Sequence, residues 1–516
     1  MTESVPIKKL EEMQPPRKWL CLIFLVFSLV IGASTWMTGI DFDSAFNFQV
    51  AQSLQKNFSY ETRYVPSKVY HDKVTTNGPI QYFMAAMIGL FDLDLGRSIA
   101  LGIIAGMAAV TIFLYSRQSF ALYCLLLLFW PSFFVLHTFF LGEVFTNTMI
   151  IAGLIAWERW SDEFMRHLPS QDRISCLWNT PSLWLSSVAF GVAISTKLLA
   201  APVTLLLLFC LAVYKLGGRG RTWPERRTRN DFLWVTWFLL PCSIALVIFG
   251  LQFSTSILHS GGHLDTIWPT LKLFVMSHFH QAESAAANTA TRWWPTLESI
   301  PALIVLLGLL VLLLRKHVIF LLAGIVVAAL LFVGRLDLRR LMPLIVPIML
   351  LAAKESHSYS PGTTKLRLID IHHSPLLAAS IILFFGTFLA NQPIYLLKRL
   401  SQFTLSGVEH NLLYISKKTA EPRKEYDISL ISTIKALPGR VFTSGWNQYP
   451  EISLRAHTVF YDRFAPENSP LLHNNEPCFL LLFSSEDPTD LSTEHDICGQ
   501  ILYRDNSLIL CQYSPH

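Results

Sequence analysis

The sequence predicts a polytopic α-helical membrane protein of about eleven transmembrane helices, with a small extracytoplasmic α/β domain at its C-terminal end, on three observations. Of its 516 residues, 52% are hydrophobic and only 15% charged, with 36 Phe, and mean hydropathy is +0.42. That is too apolar for a soluble chain of ordinary composition. The apolar residues also come in runs near the ~18 residues needed to cross a ~30 Å hydrocarbon core. Finally, Lys and Arg gather in short segments between these runs, the pattern that orients helices in a bilayer. The formal net charge of +5 therefore describes topology, and no nucleic-acid partner is expected.

Residues 1–18 form a cytoplasmic N-terminal segment, and the membrane domain occupies 19–391. Its apolar runs lie near 19–39, 96–114, 119–137, 144–158, 182–196, 198–214, 232–252, 299–314, 318–333, 341–353 and 375–391. The first is too long for a cleaved signal, and no small-residue cleavage site follows its basic flank. With alternating spans, the basic N-terminal segment, Arg117, the 158–181 loop, "KLGGRGRTWPERRTRND", "RKH" and the Lys354–Arg367 loop share one side. That side is cytoplasmic. The opposite side receives the first outer loop 40–79, the turn around Glu143, the outer loop 253–297 and the tail 392–516.

Several polar residues break the pattern on the outer side. "GRLDLRRLMPLIVPIML" places Arg335, Arg339 and Arg340 there, and Lys197 sits between two apolar runs that also meet there. Arg forks match phosphate oxygens, so a lipid phosphate is one reading; snorkelling to ordinary headgroups is the other. Asp41 and Asp43 follow the first span directly, where interfacial solvation alone would accommodate them. In "AFNFQVAQSLQKNF" the apolar residues Ala45, Phe48, Val50 or Ala51, and Leu54 recur at helical spacing. A helix lying along the membrane surface is predicted, with the carboxylates at its N-terminal end. "TTNGP" then supplies a turn through Asn77, Gly78 and Pro79. The apolar segment 81–90 that follows is too short to span and is expected to be partly inserted beside protein or a cavity.

Taken together, "DFDSAFNFQVAQSL", the "TNGP" turn before an apolar segment, and "LGRSIALGIIAG" resemble the N-terminal module of the GT-C membrane glycosyltransferases. The likeness is greater to the bacterial relatives of protein O-mannosyltransferase and lipid A aminoarabinose transferase, including the galacturonosyltransferase-like branch. "FGVAISTKLLAAPV" is similar to that group's Gly-rich span ending in Thr-Lys, and "RRLMPLIVP" to its Arg-aromatic-x-Pro helix. The resemblance covers roughly residues 15–355. It implies a GT-C-like fold in a bacterial inner membrane, and transfer of a sugar from a polyprenyl-phosphate donor to a lipid, polysaccharide or protein acceptor at the outer face. It further implies Asp43 as the catalytic base, Asp41 as its runner-up, Glu143 as an acidic positioning group, and Lys197 and Arg340, flanked by Arg335 and Arg339, as donor-phosphate ligands. Two positions depart from the family pattern: Ser44 follows Asp43 where an Asp-Glu pair is common, and Leu341 follows Arg340 where an aromatic is usual.

The chemistry suits these residue types. Inverting transfer needs one base to deprotonate the acceptor as the anomeric carbon develops positive charge. The leaving lipid phosphate needs its growing charge stabilised by a metal or by fixed cations. With several outer cations and few clustered acidic ligands, the metal-independent version is expected and no cofactor is assigned. His278 and His280, with His259 and His263 nearby in the 253–297 loop, leave a divalent-metal site as the alternative, but a one-residue spacing without Cys partners fits a polar loop better.

In the tail, "DISLISTIKAL" and "YPEISLRA" read as helices and "GRVFTSGW", "TVFYD", "CFLLLFS", "GQILYR" and "SLILCQY" as strands. Cys478, Cys498 and Cys511 allow one disulfide and one leftover thiol, with the pairing open. A secondary transporter would place ionisable residues in mid-span and show inverted repeats. That class and a noncatalytic protein of the same fold are the alternatives.

Overall fold

The computed structural model describes residues 17–37, 40, 42–58, 64–65, 78–129, 131–140, 142–167, 180–197, 350, 428–443, 449–463, 469–472, 476–483, 497–505 and 508–514. The runs predicted between 198 and 391, apart from Leu350, lie outside the described residues, as do the 253–297 loop and its histidines.

Two helices, α1 (Arg17–Met37) and α4 (Leu93–Tyr115), contain stretches long and apolar enough to cross a membrane. They pack side by side at very short range, because small residues line the seam. A Cβ on Gly102 would lie 2.6 Å from the Ser28 carbonyl oxygen, so only glycine permits this approach. The outward face of α1 leaves Trp19, Leu22, Leu25 and Leu29 exposed, the surface expected to meet lipid. Asp92 caps α4, its carboxylate accepting from the Leu95 N–H at 2.7 Å.

Between these helices the chain forms α2 (Phe42–Asn57), the two-residue strand β1 (Tyr64–Val65) and α3 (Pro79–Leu90). Pro79 begins α3 at a position where a missing N–H costs nothing. The predicted span 119–137 is instead divided into α5 (Arg117–Phe129) and α6 (Pro131–Leu136). Pro131 cannot continue a helix through its own nitrogen. Conversely, the run 144–158 belongs to a longer helix, α7 (Glu143–His167), which passes its apolar part and continues through Glu158, Arg159 and Glu163 without a breaker. The helix α8 (Pro181–Thr196) packs along α7.

The tail builds α9 (Ile428–Ala436), β2 (Arg440–Thr443), α10 (Tyr449–Ala456), β3 (Phe460–Asp462), α11 (Ser469–Leu472), β4 (Cys478–Phe483), β5 (Cys498–Arg504) and β6 (Leu508–Tyr513). Each long tail segment takes the type its pattern predicts. The sheet order is β1-β3-β2-β4-β6-β5. Its β1-β3-β2-β4 half is parallel, and β6 runs antiparallel to both β4 and β5. Alternate residues of β4 divide between two cores: Phe479 and Leu481 pack with Leu430, Ile434, Ile452 and Phe460, while Leu480 and Leu482 pack with Phe442 and Ile509. Cys498 and Cys511 form a disulfide between neighbouring strands, and Cys478 is a free, buried thiol.

One edge of that sheet comes from far away in sequence. β1, in the 40–79 loop, pairs in parallel with β3, Tyr64 opposite Phe460 and Val65 opposite Tyr461. α2 is likewise not a surface helix with one wet face. Ser44, Asn47, Gln49, Gln52 and Ser53 are buried together with Ala45, Phe48, Val50, Ala51 and Leu54. Protein covers it on more than one side, with α3, Phe140 and Leu454 of α10 in one cluster and the tail's core against Phe46.

Candidate active site

The 40–79 loop, the turn before Glu143 and the end of α8 meet through a short chain of polar contacts. The Phe140 peptide is held at both ends by one turn of α2: its N–H donates to Ser44 Oγ at 2.9 Å, and its carbonyl accepts from Asn47 Nδ2 at 2.8 Å. Gln81 of α3 donates from Nε2 to Asn47 Oδ1 at 3.3 Å. The Phe48 and Phe140 rings stack with centroids 4.9 Å apart. Because buried amide groups must be partnered, this set specifies how α2 sits against the turn.

Immediately after that turn, Gly142 adopts φ 85°, a conformation that favours glycine, and its carbonyl accepts from the Thr146 N–H at 2.9 Å. The chain thereby bends sharply into α7 with Glu143 in the first helical turn, where the helix dipole favours a carboxylate. Glu143 Oε1 lies 3.3 Å from Lys197 Nζ. The carboxylate side chain is 3% exposed and the lysine 17%, so the cation is the member of the pair that solvent or a ligand can still reach. Lys197 directly follows α8, whose last turn is tightened by Ser195 Oγ and Thr196 Oγ1 donating to the carbonyls of Gly191 and Val192. The Ser195 carbonyl in turn accepts from the Gly78 N–H at 3.3 Å.

Three of the predicted positions are thus brought together: Glu143 pairs with Lys197, and Gly78 docks two residues before that lysine. Pro79 follows as the first residue of α3. Asp43 is the second residue of α2, next to Ser44, which grips the turn leading to Glu143. Asp41, Asn77, Arg335, Arg339 and Arg340 lie outside the described residues. Among the described residues, no group of three or more His, Cys, Asp or Glu stands together as metal ligands would.

A second polar cluster was not anticipated from sequence. Arg455 of α10 reaches Asp94 of α4 through both terminal nitrogens, at 3.1 and 3.3 Å, and Glu451 through Nε at 3.0 Å. Asp94 also lies 3.6 Å from Arg97, whose buried guanidinium donates to the Thr35 carbonyl at 3.0 Å near the end of α1. Burial pushes the Glu451 carboxyl up, against the pull of Arg455. Burial acts to lower Arg455, but Glu451 and Asp94 outweigh it and hold the guanidinium above its usual value. The available signal was the placing of Asp92, Asp94 and Arg97 at the start of an otherwise apolar span. Intramembrane or interfacial charges of that kind are retained with a partner.

Neither a protein-family model nor a curated protein sequence matches the chain. Solved structures do. ArnT from Cupriavidus metallidurans, crystallised bound to undecaprenyl phosphate, superposes with a TM-score of 0.56 at 15% identity, covering 97% of this chain and 100% of that one. The Archaeoglobus fulgidus oligosaccharyltransferase complexed with Zn and sulfate aligns at TM-score 0.48 and 11% identity over 94% of this chain and 72% of that one. The archaeal oligosaccharyltransferase AglB from Archaeoglobus fulgidus, with an inhibitory peptide and a dolichol-phosphate, aligns at 0.44 and 12% over 96% and 76%. The ArnT superposition establishes the fold.

Proposed function

From that fold, we propose that the chain is an integral-membrane glycosyltransferase that moves a sugar from a polyprenyl-phosphate donor to a lipid, polysaccharide or protein acceptor at the outer membrane face. The observation that carries this reading is the Glu143–Lys197 pair, set beside the Gly78 turn and the N-terminal end of α2. A fixed cation that stays reachable, an acidic residue that holds it, and a nearby helix start bearing Asp43 are the parts such a transfer needs. The likeness to ArnT, which was crystallised with undecaprenyl phosphate, supports the class of donor.

In the proposed step the acceptor hydroxyl oxygen attacks the anomeric carbon while the bond from that carbon to the phosphate oxygen breaks. The electron pair leaves with the polyprenyl phosphate, and the hydroxyl proton passes to the Asp43 carboxylate. Lys197 meets the charge growing on the leaving phosphate, since an ammonium has three donors and Glu143 does not occupy them all. Arg335, Arg339 and Arg340 supply further phosphate contacts, and the reaction runs without a metal. The surrounding architecture in this reading has about eleven spans, a cytoplasmic N-terminus and the α/β domain outside, in a bacterial inner membrane.

The test is transfer of labelled sugar from a polyprenyl-phosphate donor to envelope material by the purified, reconstituted protein. Transfer by the unaltered protein, with loss in the Asp43→Asn variant, is the expected result. Absence of transfer from any polyprenyl-phosphate sugar, with the donor lipid nevertheless bound, would favour a noncatalytic protein of this fold.

A further inference from the structure

The C-terminal domain is tied to the 40–79 loop by three separate contacts and to α4 by a fourth. β1 of that loop is an edge strand of the domain's own sheet. Phe46 of α2 packs against the domain core formed by Leu430, Ile452 and Phe460. In the reverse direction Leu454 of α10 is buried in the cluster formed by Phe48, Val50, Ile80 and Phe140. Beside these, Arg455 forks onto Asp94, which joins through Arg97 to the end of α1. Two of the four fall on α2, the helix whose second residue is Asp43; the others hold the domain to β1, which follows α2 in the chain, and to α4.

A mere appendage does not require such an arrangement. A domain that only adds mass would dock through its outer surface, whereas here it takes a strand from the loop and contributes a core residue to the other side. The cost of the charges is also informative. Taking a guanidinium and two carboxylates largely out of water is unfavourable unless geometry is specific, and such networks are weak sources of stability but strong sources of register. We propose that the C-terminal domain is a positioning element of the site: through Arg455–Asp94, Phe46 and the β1–β3 pairing it sets where α2, and with it Asp43, stands relative to Glu143 and Lys197. Arg455 and Phe46 are positioning residues in this sense, acting on the reaction through α2. The consequence for catalysis rests on the glycosyl-transfer reading above; the clamp itself does not.

The experiment uses the full chain in nanodiscs and compares the unaltered protein with Arg455→Ala, Arg455→Lys and Phe46→Ala. Two quantities are read: amide hydrogen exchange in α2 and in α4, and single-turnover sugar transfer normalised to bound undecaprenyl-phosphate-linked donor, which corrects for any misfolded fraction. The expected result in both alanine variants is faster exchange in α2 with the second half of α4, residues 104–115, unchanged; the first turn of α4, which carries Asp94, is excluded because Arg455 binds it directly. Transfer per bound donor should fall about tenfold, as a displaced reacting group predicts, with partial recovery in Arg455→Lys. Unchanged α2 exchange in both alanine variants would overturn the clamp. Equal acceleration in α2 and that half of α4 would reduce it to general stabilisation, and selective α2 acceleration with normal transfer would show that α2 need not be held. If the unaltered protein transfers no sugar, it is the glycosyl-transfer reading that fails, and the positioning of a reacting group fails with it. The α2 exchange pattern then still decides the clamp as a structural device.

Discussion

Lys197 and Glu143 form a 3.3 Å ion pair between the residue that follows α8 and the residue that begins α7. The two come from helix ends 54 positions apart in sequence (197 minus 143) and are the only pair among the predicted site residues that the described structure joins directly. With Glu143 3% exposed, removing the lysine leaves a buried carboxylate without its cation. Lys197→Ala should therefore lower both stability and donor use, the latter by about the 1.5–3 kcal/mol of a charge-assisted contact. Lys197→Ala/Glu143→Gln should regain much of the thermal stability, because no uncompensated charge remains, yet stay defective in donor use. Recovery of donor use in the double variant would show that the lysine serves the fold alone.

Asp43→Asn keeps side-chain size but cannot accept a proton near neutral pH. Transfer should drop about a hundredfold or more with donor binding retained. Asp41→Asn should cost less. A dead Asp41 variant beside a normal Asp43 variant would move the base two residues upstream. In the same assay EDTA should leave the unaltered protein's rate unchanged, and a loss restored by a divalent cation would reject the metal-independent step.

Topology is testable without activity. Reporter fusions after residue 225 should lie in the cytoplasm, and fusions after 275 or at the C-terminus outside. A cytoplasmic C-terminus would detach the α/β domain from the proposed outer-face site.

Glu451 carries a pH signature. Its carboxyl is raised in the folded chain by burial, so its contribution to stability is complete below the ordinary carboxylate range and is lost as pH rises through the raised value. Thermal unfolding of the unaltered protein should show this decline, and Glu451→Gln should flatten it. An identical pH dependence in the two proteins would assign the effect elsewhere.

Thiol mapping examines the domain's covalent framework. Burial raises the Cys478 thiol, so the nucleophilic thiolate is scarce at neutral pH, and the side chain is enclosed. An alkylating reagent should modify Cys478 only after unfolding, while non-reducing peptide mass analysis should return Cys498 joined to Cys511.

The sequence by itself determined the elements whose signals are local. The apolar length of α1 and α4, the Pro79 start of α3, and the short strand-prone runs that become β2 to β6 each depend on residues a few positions apart. The division between α5 and α6 at Pro131 was not among them, because the apolar run around it reads as one span. Only the tertiary structure decided that α2 is enclosed on several sides, that β1 completes a sheet formed almost 380 residues later, and that Asp94 and Arg455, with 361 positions between them, share a fork of hydrogen bonds. The physical reason is that a polar residue's meaning depends on its partner. Asn47 and Gln81 look like ordinary hydrophilic positions until folding removes water and leaves each other, and the Phe140 carbonyl, as the groups that can satisfy them.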